Sequence, residues 1–484
     1  MAKPLKFVVI GAGMAGILMG YRLKQAGFND FTIYEKGESV GGTWRENRYP
    51  GLHCDVPSHH YCYSFAPNPD WSKEYSPGPE IWAYFDRTAR NLGVMDHIRF
   101  NAQVAEARWT DGRWNITLAN GQTDKADVLI SATGVLHKLV YPDIEGLKSF
   151  AGTSFHTARW DHSVDLTDKR IGIIGTGSTA VQIVAELSDK VRKLTLFQRT
   201  AQWVAKVENP AMGWFQRLLL RLQPSRMRKL YDAAMATTEG VVAGIMGGDP
   251  AAHEGLLKNV QDNLASVRDP ELRRKLTPNY APGCKRLIMS PNFYEAIQRP
   301  ACEVVTERIA RIEPRGIVTA DGKLHELDVL VIATGFDPTA YVRPVRLIGE
   351  NGIDLETVWK TRPIAYRAVA VPHMPNFFMI GGPFSPFGNI SNILMAETQT
   401  AFIMRCVEHI ASEGVTMRPR LDVTEKLISG YREAAKTTVW AEGGCQSYYL
   451  DPEGIPIIYP FAPRQYLTEM AVAENLADFV TSPA

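Results

Sequence analysis

The chain has 484 residues, 45% of them hydrophobic, which allows two or three domains with well-buried cores. Its 53 lysines and arginines almost balance its 52 aspartates and glutamates, so the formal net charge is +1 at pH 7. This balance argues against nucleic acid or an anionic membrane as the main partner. No apolar run reaches the eighteen or so residues that a membrane-spanning helix needs, so no membrane span is expected.

The cysteines and the first residues bear on the compartment. The sequence contains no C-x-x-C pair and no dense disulfide pattern among its six cysteines, which are Cys54, Cys62, Cys284, Cys302, Cys406 and Cys445. Such spacing predicts a reducing compartment. No secretory signal precedes the first predicted strand, and we therefore expect a cytoplasmic protein.

The first predicted unit is a dinucleotide site. An apolar run over residues 6–10 predicts a buried strand, and Gly11-x-Gly13-x-x-Gly16 and a helical pattern follow it. A second strand ends at Glu35, which lies 24 residues after Gly11. The glycines let backbone N–H groups approach a pyrophosphate, and the carboxylate can accept hydrogen bonds from a ribose.

The segment after Glu35 bears on which class of dinucleotide-binding enzyme this chain could be. Gly41-Gly42-Thr43-Trp44 offers a second close backbone approach, and no Cys-x4-Cys redox pair occurs near it, which argues against a disulfide reductase. Asp55 lies in a turn-rich stretch, where an aspartate commonly caps a turn. Three nearby histidines, His53, His59 and His60, lack further ligands, so we predict no metal site.

Residues 97–133 predict antiparallel strands, with a buried strand at 128–132 that ends at Thr133-Gly134. The next stretch, residues 150–161, is too polar and irregular for a core helix or strand. It is predicted to connect two nucleotide-binding units, although a plain surface linker would have the same composition.

The second unit repeats the first with one change of charge. A strand over residues 170–174 leads into Gly175-Thr-Gly177-Ser178, a helix and another strand. Arg199 lies 24 residues after Gly175, at the position that Glu35 occupies in the first unit. A guanidinium binds a 2′-phosphate, whereas a carboxylate repels it. The first unit therefore suits FAD or NAD and the second suits NADP, unless Arg199 is only a solvated cation at a strand end.

The sequence pattern of residues 208–280 predicts a helical insertion. Trp214, Phe215, Leu218, Leu219 and Leu222 recur at helical spacing, with Arg217 and Arg221 among them. The helix could pack on its own domain, cover a substrate site as a lid, or face a membrane or partner. Packing or a lid is favoured, because the segment is short and Pro224 interrupts it.

Adjacent cations follow the insertion. Lys285 and Arg286 come directly after Gly283-Cys284, which suggests anion binding, with Lys285 joining Arg199 on a phosphate and Arg286 pointing elsewhere. Farther on, Ala333-Thr-Gly335 repeats Ala132-Thr-Gly134, and this pair is predicted to mark the crossings between two domains. A strand near residues 376–380, a helix over 391–413 and a loop-rich tail are predicted to complete the chain.

These elements predict an α/β protein with two dinucleotide-binding, Rossmann-like domains, the second inserted in the first. Residues 1–145 and 335–484 are predicted to form the FAD-binding domain. Residues 150–334 are predicted to form the NADP-binding domain, including the helical insertion 208–280.

The connector carries a resemblance to a known family. The pattern Phe150-x-Gly152-x3-His156-x3-Trp160-Asp161 resembles the fingerprint of type I Baeyer–Villiger monooxygenases, which are class B flavoprotein monooxygenases. Related amine- and sulfide-oxidising enzymes usually lack the Trp-Asp ending. The resemblance implies an FAD- and NADPH-dependent enzyme that uses O2 to insert one oxygen beside a ketone carbonyl, through a flavin C4a-peroxide, giving an ester or lactone.

The resemblance also assigns roles to residues. Arg286 would be catalytic, with Asp55 as its orienting partner, and His156 and Trp160 would act through the conformation of the linker. FAD would be bound or framed by Gly11, Gly13, Gly16, Glu35, Gly42, Trp44, Asp55, Tyr61 and Asn392. NADPH would be held by Gly175, Gly177, Ser178, Arg199, Thr200 and Lys285, with Trp440 closing over it.

The partner implied is a small apolar ketone, with no nucleic acid, and the chain is expected to be a monomer or weak dimer. Arg45 and Glu46 replace an aromatic pair common in the family, which leaves the substrate range open. Two other functions remain possible: oxidation of sulfur or nitrogen by the same cofactors, and a non-catalytic nucleotide sensor.

Overall fold

The computed structural model of the chain describes residues 5–246 and 249–483. The strands are β1 (Phe7–Ile10), β2 (Phe31–Tyr34), β3 (Ile98–Arg99), β4 (Val104–Thr110), β5 (Arg113–Leu118), β6 (Thr123–Ala126), β7 (Val128–Ser131), β8 (Thr153–His156), β9 (Arg170–Ile174), β10 (Lys193–Phe197), β11 (Val204–Lys206), β12 (Ile288–Ser290), β13 (Cys302–Val305), β14 (Ile309–Glu313), β15 (Gly316–Thr319), β16 (Leu324–Glu326), β17 (Val329–Ile332), β18 (Arg346–Ile348), β19 (Phe377–Met379), β20 (Val415–Pro419) and β21 (Phe479–Pro483). The α-helices are α1 (Met14–Gln25), α2 (Thr43–Glu46), α3 (Gly78–Asn91), α4 (Ser178–Leu187), α5 (Trp214–Leu222), α6 (Pro224–Ile245), α7 (Pro250–Ala265), α8 (Pro270–Leu276), α9 (Phe293–Ile297), α10 (Leu355–Val358), α11 (Asn392–Glu413), α12 (Leu421–Ala435), α13 (Val439–Glu442) and α14 (Pro463–Ala471).

The first main sheet is parallel throughout and has the order β19-β7-β1-β2-β3. All four residues of β1 and of β7 are buried, as expected for central strands covered on both faces. Its edge strand β19 comes from the distant segment Phe377–Met379, so the sheet is completed only after the chain has built the second sheet.

The second main sheet is also parallel, with the order β13-β10-β9-β17-β8. Its strands all fall between β7 and β19 of the first sheet, which confirms an α/β fold with one Rossmann-type unit inserted in another. The exact domain limits at residues 145, 150, 334 and 335 stay predictions.

The connector contains β8, a strand at the edge of the second sheet rather than in its core, which the sequence did not predict. Only Phe155 and His156 of this strand are buried, because an edge strand exposes much of its length. This exposure explains why the connector has a polar, aperiodic sequence.

The remaining elements partly match expectation. Strands β4, β5 and β6 are antiparallel as predicted, whereas β3 and β7 join the parallel sheet. Helices α5 to α8 confirm the helical character of the insertion. The tail is less loop-rich than predicted, since it contains the helices α12 and α14. Their few buried residues are widely spaced among polar ones, so the sequence gives only a weak helical pattern there.

The longest helices, α6 and α11, have 22 residues each. Across residues 5–246 and 249–483, no helix combines the length and the apolar character needed to cross a bilayer.

Several histidines are buried or half-buried, and burial is the largest influence on their pKa values. His59 and His60 are both buried, and neither ring nitrogen of His59 nor Nδ1 of His60 has a hydrogen-bond partner in the described part of the chain. Burial lowers the pKa of His60 to about 4. Burial likewise lowers the pKa values of His53, His59, His137, His156 and His325.

We expect the protein to lose stability as the pH falls below 6.5. The unfolded chain takes up a proton at the ordinary histidine pKa near 6.5, whereas folded His60 does so only near pH 4. Its neutral form therefore stabilises the fold fully above pH 6.5, and about 3 kcal/mol of that contribution is lost by pH 4. Thermal melts at a series of pH values measure this slope.

His60→Phe should flatten the slope, because it removes one of the protons taken up on unfolding while retaining a ring against Tyr231, whose ring centroid lies 4.8 Å away. His162→Gln, at an exposed histidine, is the matched control and should leave the slope unchanged. An identical slope in His60→Phe and the unsubstituted protein would contradict the assignment.

Candidate active site

Both glycine loops open onto one cavity of about 1600 Å³ between the two main sheets. This volume exceeds the roughly 300–1,000 Å³ of a site for one small ligand. Residues from the C-terminal segment, including Trp440, Tyr448 and Tyr449, complete its wall. The cavity can therefore accommodate more than one large ligand.

The first glycine loop is shaped by close backbone contacts. A Cβ on Gly16 would lie 1.9 Å from the carbonyl oxygen of Gly11, and Gly11 itself has a positive φ of 102°. A Cβ on Gly42 would lie 3.0 Å from the Cα of Gly13. Side chains at these positions would fill the backbone cradle, so the predicted second close approach does lie against the first loop.

Glu35 is buried at the end of β2, beside this loop. Its Oε2 accepts a hydrogen bond of 2.8 Å from the backbone N–H of Ala12, and its Oε1 accepts one of 2.8 Å from Gly37. The carboxylate also forms a buried ion pair with Arg45, with Nη1 3.1 Å from Oε1. The single bond to Oε2 leaves that oxygen able to accept another hydrogen bond.

Arg45 was not singled out by the sequence as a binding residue. It also pairs with Glu46, which in turn pairs with Arg159 of the connector. The four charges therefore run from the first glycine loop to residues 150–161. The departure from the aromatic pair common at positions 45 and 46 thus has a structural explanation.

The wall on the side of the first unit is aromatic. Trp44 donates a hydrogen bond of 3.1 Å from Nε1 to the hydroxyl of Tyr61, and the two rings meet edge to face with centroids 5.5 Å apart. Asn392 is the first residue of α11, directly after the cap Ser391. All three predicted residues, Trp44, Tyr61 and Asn392, line the cavity.

The second glycine loop repeats the geometry of the first. Gly175 has a φ of 116°, and a Cβ there would lie 2.4 Å from the carbonyl oxygen of Ala333. Gly177 and Ser178 stand at the start of α4 on the cavity wall. The backbone carbonyl of Thr200 accepts a hydrogen bond of 2.8 Å from Thr176, which ties the end of β10 to the loop.

Two cations face the cavity beside this loop. Arg199 and Lys285 both line it, and neither forms an ion pair with a carboxylate within residues 5–246 and 249–483. Burial and the nearby charge of Arg199 lower the pKa of Lys285. The Lys285 ammonium also lies 4.9 Å from the centroid of the Tyr280 ring. Two neighbouring cations without a carboxylate partner form a suitable site for an anion.

Asp55 and Arg286 form an ion pair on the cavity wall. Both Nε and Nη2 of Arg286 donate to Oδ2 of Asp55, at 2.9 and 2.6 Å. The charge of Asp55 raises the pKa of Arg286, which is therefore permanently cationic. No hydrogen bond from Nη1 is formed within the described residues, which leaves that nitrogen for a ligand.

The stretch that carries Asp55 crosses from the first unit to the second. The hydroxyl of Tyr49 donates a hydrogen bond of 2.9 Å to the side chain of Gln182 in α4, and Gln182 donates one of 3.0 Å to the carbonyl of His53. Tyr49 is buried in the core of the second unit. These hydrogen bonds hold the stretch against the second unit, so that Asp55 lies beside Arg286, 231 residues away in sequence.

A disulfide joins Cys284, next to Lys285, to Cys445 in the tail. The cysteine spacing gave no sign of this bond, because its members are 161 residues apart. The expectation of reduced cysteines is therefore wrong for this pair, while Cys54, Cys62, Cys302 and Cys406 are free. The bond fixes the tail beside Arg286, and Trp440 is buried nearby.

The fingerprint residues of the connector lie outside the cavity wall. His156 is buried, with Nε2 3.1 Å from the carbonyl of Gly335 and Nδ1 accepting from the N–H of Ala158 at 3.2 Å. Burial lowers the pKa of His156, which keeps the ring neutral. Trp160 packs edge to face on Phe155, with centroids 4.8 Å apart.

Of the other fingerprint residues, Phe150 packs in a small core, and Gly152 lies where a Cβ would come within 2.5 Å of the Asp328 carbonyl. Asp161 is exposed and accepts a hydrogen bond of 2.9 Å from the N–H of Ser163. These contacts fix the shape of the connector and place none of its fingerprint side chains on the cavity wall.

Comparison with known proteins agrees with this geometry. The family model for flavin-binding monooxygenase-like proteins matches residues 4–236. An uncharacterized monooxygenase of Mycobacterium tuberculosis is 47% identical over 465 residues, covering 96% of this chain and 93% of the relative. A Baeyer–Villiger monooxygenase of Streptomyces coelicolor is 38% identical over 462 residues, covering 93% of this chain and 87% of the relative.

Solved structures extend the likeness over the whole chain. Cyclohexanone monooxygenase from Rhodococcus, bound to NADP+, superposes with a TM-score of 0.88 at 28% identity and covers 100% of both chains. OTEMO in complex with FAD and NADP superposes with a TM-score of 0.89 at 27% identity, again over 100% of both chains. The chain therefore belongs to the flavin-binding monooxygenase family and, within it, to the type I Baeyer–Villiger monooxygenases.

Proposed function

We propose that this enzyme uses FAD, NADPH and O2 to insert one oxygen atom beside the carbonyl of an apolar ketone, yielding an ester or lactone. The observation that carries the proposal is the Asp55–Arg286 ion pair on the wall of a cavity that both glycine loops share. A flavin enzyme that only oxidised sulfur or nitrogen would not need an arginine fixed in this way.

FAD fits the first unit. The cradle formed by Gly11, Gly13, Gly16 and Gly42 has no room for a Cβ at its closest points, which leaves the backbone free to meet a pyrophosphate. Glu35 retains an acceptor site on Oε2 for a ribose hydroxyl. Trp44, Tyr61 and Asn392 line the cavity beyond it, where they can frame the ring system.

NADPH fits the second unit. Gly175, Gly177 and Ser178 begin α4, whose N-terminus favours a pyrophosphate. Arg199 and Lys285 supply two charges for the 2′-phosphate, with Thr200 at the same strand end. The NADP complexes of the structural relatives support this choice of nucleotide, and Trp440 lines the cavity where it can cover it.

When bound, the flavin, reduced by NADPH, supplies the activated oxygen. Arg286 contributes a fixed positive charge where negative charge develops as oxygen adds to the ketone carbonyl. Asp55 accepts hydrogen bonds from Nε and Nη2 of the guanidinium, while Nη1 makes no hydrogen bond within the described residues and is free to meet a ligand. Asp55 also offsets the cost of holding this charge away from bulk water.

The cavity wall favours an apolar substrate. Phe387 and Ile390 from the loop before α11 line it, together with Val241 and Ile245 from α6. Ile245 contacts the turn at Gly283, three residues before Arg286. A ketone held against these side chains has few polar partners besides the arginine, which favours cyclic or aliphatic ketones over charged ones.

For Arg286→Ala, we expect reduction of the flavin by NADPH to continue while ester formation falls by about 10²–10³-fold, because one well-placed stabiliser of developing charge is worth about 3–4 kcal/mol. Stopped-flow absorbance follows flavin reduction, and gas chromatography with mass detection follows the product from cyclohexanone. Arg315→Ala, at an exposed arginine, is the control. Ester formation at a near-normal rate in Arg286→Ala would refute the assigned role.

For Arg199→Ala and Lys285→Ala, we expect the KM for NADPH to rise at least tenfold in each variant, because each removes a charged hydrogen-bond donor to the 2′-phosphate. The KM for NADH should change little, since NADH lacks that phosphate. Steady-state kinetics with both nucleotides measures the shift in preference. Arg192→Ala, at an exposed cation of the same unit, serves as control, and an unchanged preference would remove the tested residue from the phosphate site.

A further inference from the structure

Helix α5 turns its apolar face toward solvent. Trp214, Phe215, Leu218 and Leu222 are 72, 57, 39 and 69% exposed, and they account for four of the eleven exposed large hydrophobic residues in the described part of the chain. At 3.6 residues per turn, these four side chains occupy an arc of about 100°. They therefore form one continuous apolar strip, named here the α5 strip.

The orientation of α5 is the reverse of the usual one, since surface helices normally bury their apolar side. Here the side chain that α5 buries is Leu220, on the side away from the strip. Arg221 fixes the helix by an ion pair with Asp70, with Nη2 2.7 Å from the carboxylate. The α5 strip therefore faces solvent, while Leu220 and the Arg221–Asp70 ion pair attach the helix to the rest of the protein.

The chain segment that carries the strip is rich in cations, two of which are paired, Arg221 with Asp70 and Arg228 with Asp232. Residues 209–231 contain five cations, Arg217, Arg221, Arg226, Arg228 and Lys229, and no acidic residue. The whole chain has a net charge of only +1, so this segment concentrates positive charge that the total conceals. An apolar strip beside clustered arginines and lysines is typical of helices that lie in the interface of an anionic membrane.

We propose that α5 and the first turns of α6 bind the surface of a membrane that contains anionic phospholipids, with the α5 strip inserted among the acyl chains. Nine residues are too few to span a bilayer, so the helix lies in the plane of the interface. A second copy of this chain is a poorer occupant, because a two-fold contact would bring two of the cationic clusters together. This binding goes beyond the proposed reaction and does not depend on it.

Helix α6 connects this surface to the cavity. The helix begins at Pro224, directly after α5, and its later residues Thr237, Val241 and Ile245 line the cavity. Seventeen residues of helix separate Pro224 from Val241, which is a distance of about 25 Å. A cavity with an apolar wall therefore lies one helix away from a surface that binds lipid, where an apolar ketone would concentrate.

The test is co-sedimentation of the full-length, flavin-loaded protein with vesicles. We expect binding to vesicles made of equal parts phosphatidylglycerol and phosphatidylcholine, and weak binding to phosphatidylcholine alone. Trp214→Ser/Leu222→Ser should weaken binding more than about tenfold by removing apolar contact. Arg226→Gln/Lys229→Gln, at cations without an ion pair in the described residues, should weaken it roughly thirtyfold.

Matched controls are Leu421→Ser, at a leucine as exposed as Leu218, and Lys148→Gln/Arg192→Gln, at two exposed cations elsewhere. Both should bind vesicles like the unsubstituted protein, and all variants should retain turnover of a dissolved ketone. Absence of vesicle binding, equal binding to neutral vesicles, or unchanged binding in the strip variant would each overturn the proposal. Self-association that Trp214→Ser/Leu222→Ser abolishes, in a protein that ignores vesicles, would identify a second copy as the occupant.

Discussion

The ion pair between Asp55 and Arg286 is the interaction on which the site depends. It joins a residue carried by the first unit to one carried by the second, so its geometry exists only when both units are in place. Pairing two charges on a partly dry wall involves a desolvation cost that good hydrogen-bond geometry must offset. The bonds from Tyr49 and Gln182 supply the support that holds the aspartate in position.

Short sequence patterns predict much of the fold, but they do not predict exposed edge strands or contacts between residues far apart in the chain. The two glycine loops, and the matched offsets of Glu35 and Arg199, identified both nucleotide units because a βαβ unit is short and regular. The edge strand β8 was missed because half of it is exposed. The pairing of Asp55 with Arg286 came from resemblance to a family, since no local period relates residues 231 apart.

The Arg45 contacts illustrate a further limit of the sequence. A buried arginine between two acids looks, in the linear chain, like ordinary surface charge, and only the fold reveals that it joins Glu35 to the connector through Glu46 and Arg159. The cationic segment around α5 is the opposite case. Its composition is visible in the sequence, but whether its apolar residues faced inward or outward could be decided only by the packing of Leu220.

The disulfide between Cys284 and Cys445 has a topological consequence. The chain between these residues contains β13 and β17 of the second sheet and β19 of the first, so the bond closes a covalent ring that passes through both sheets. Closing so long a ring restricts the unfolded chain more than a short loop would. With the bond intact, tension applied to the two ends of the chain passes across the bond and bypasses the strands inside the ring.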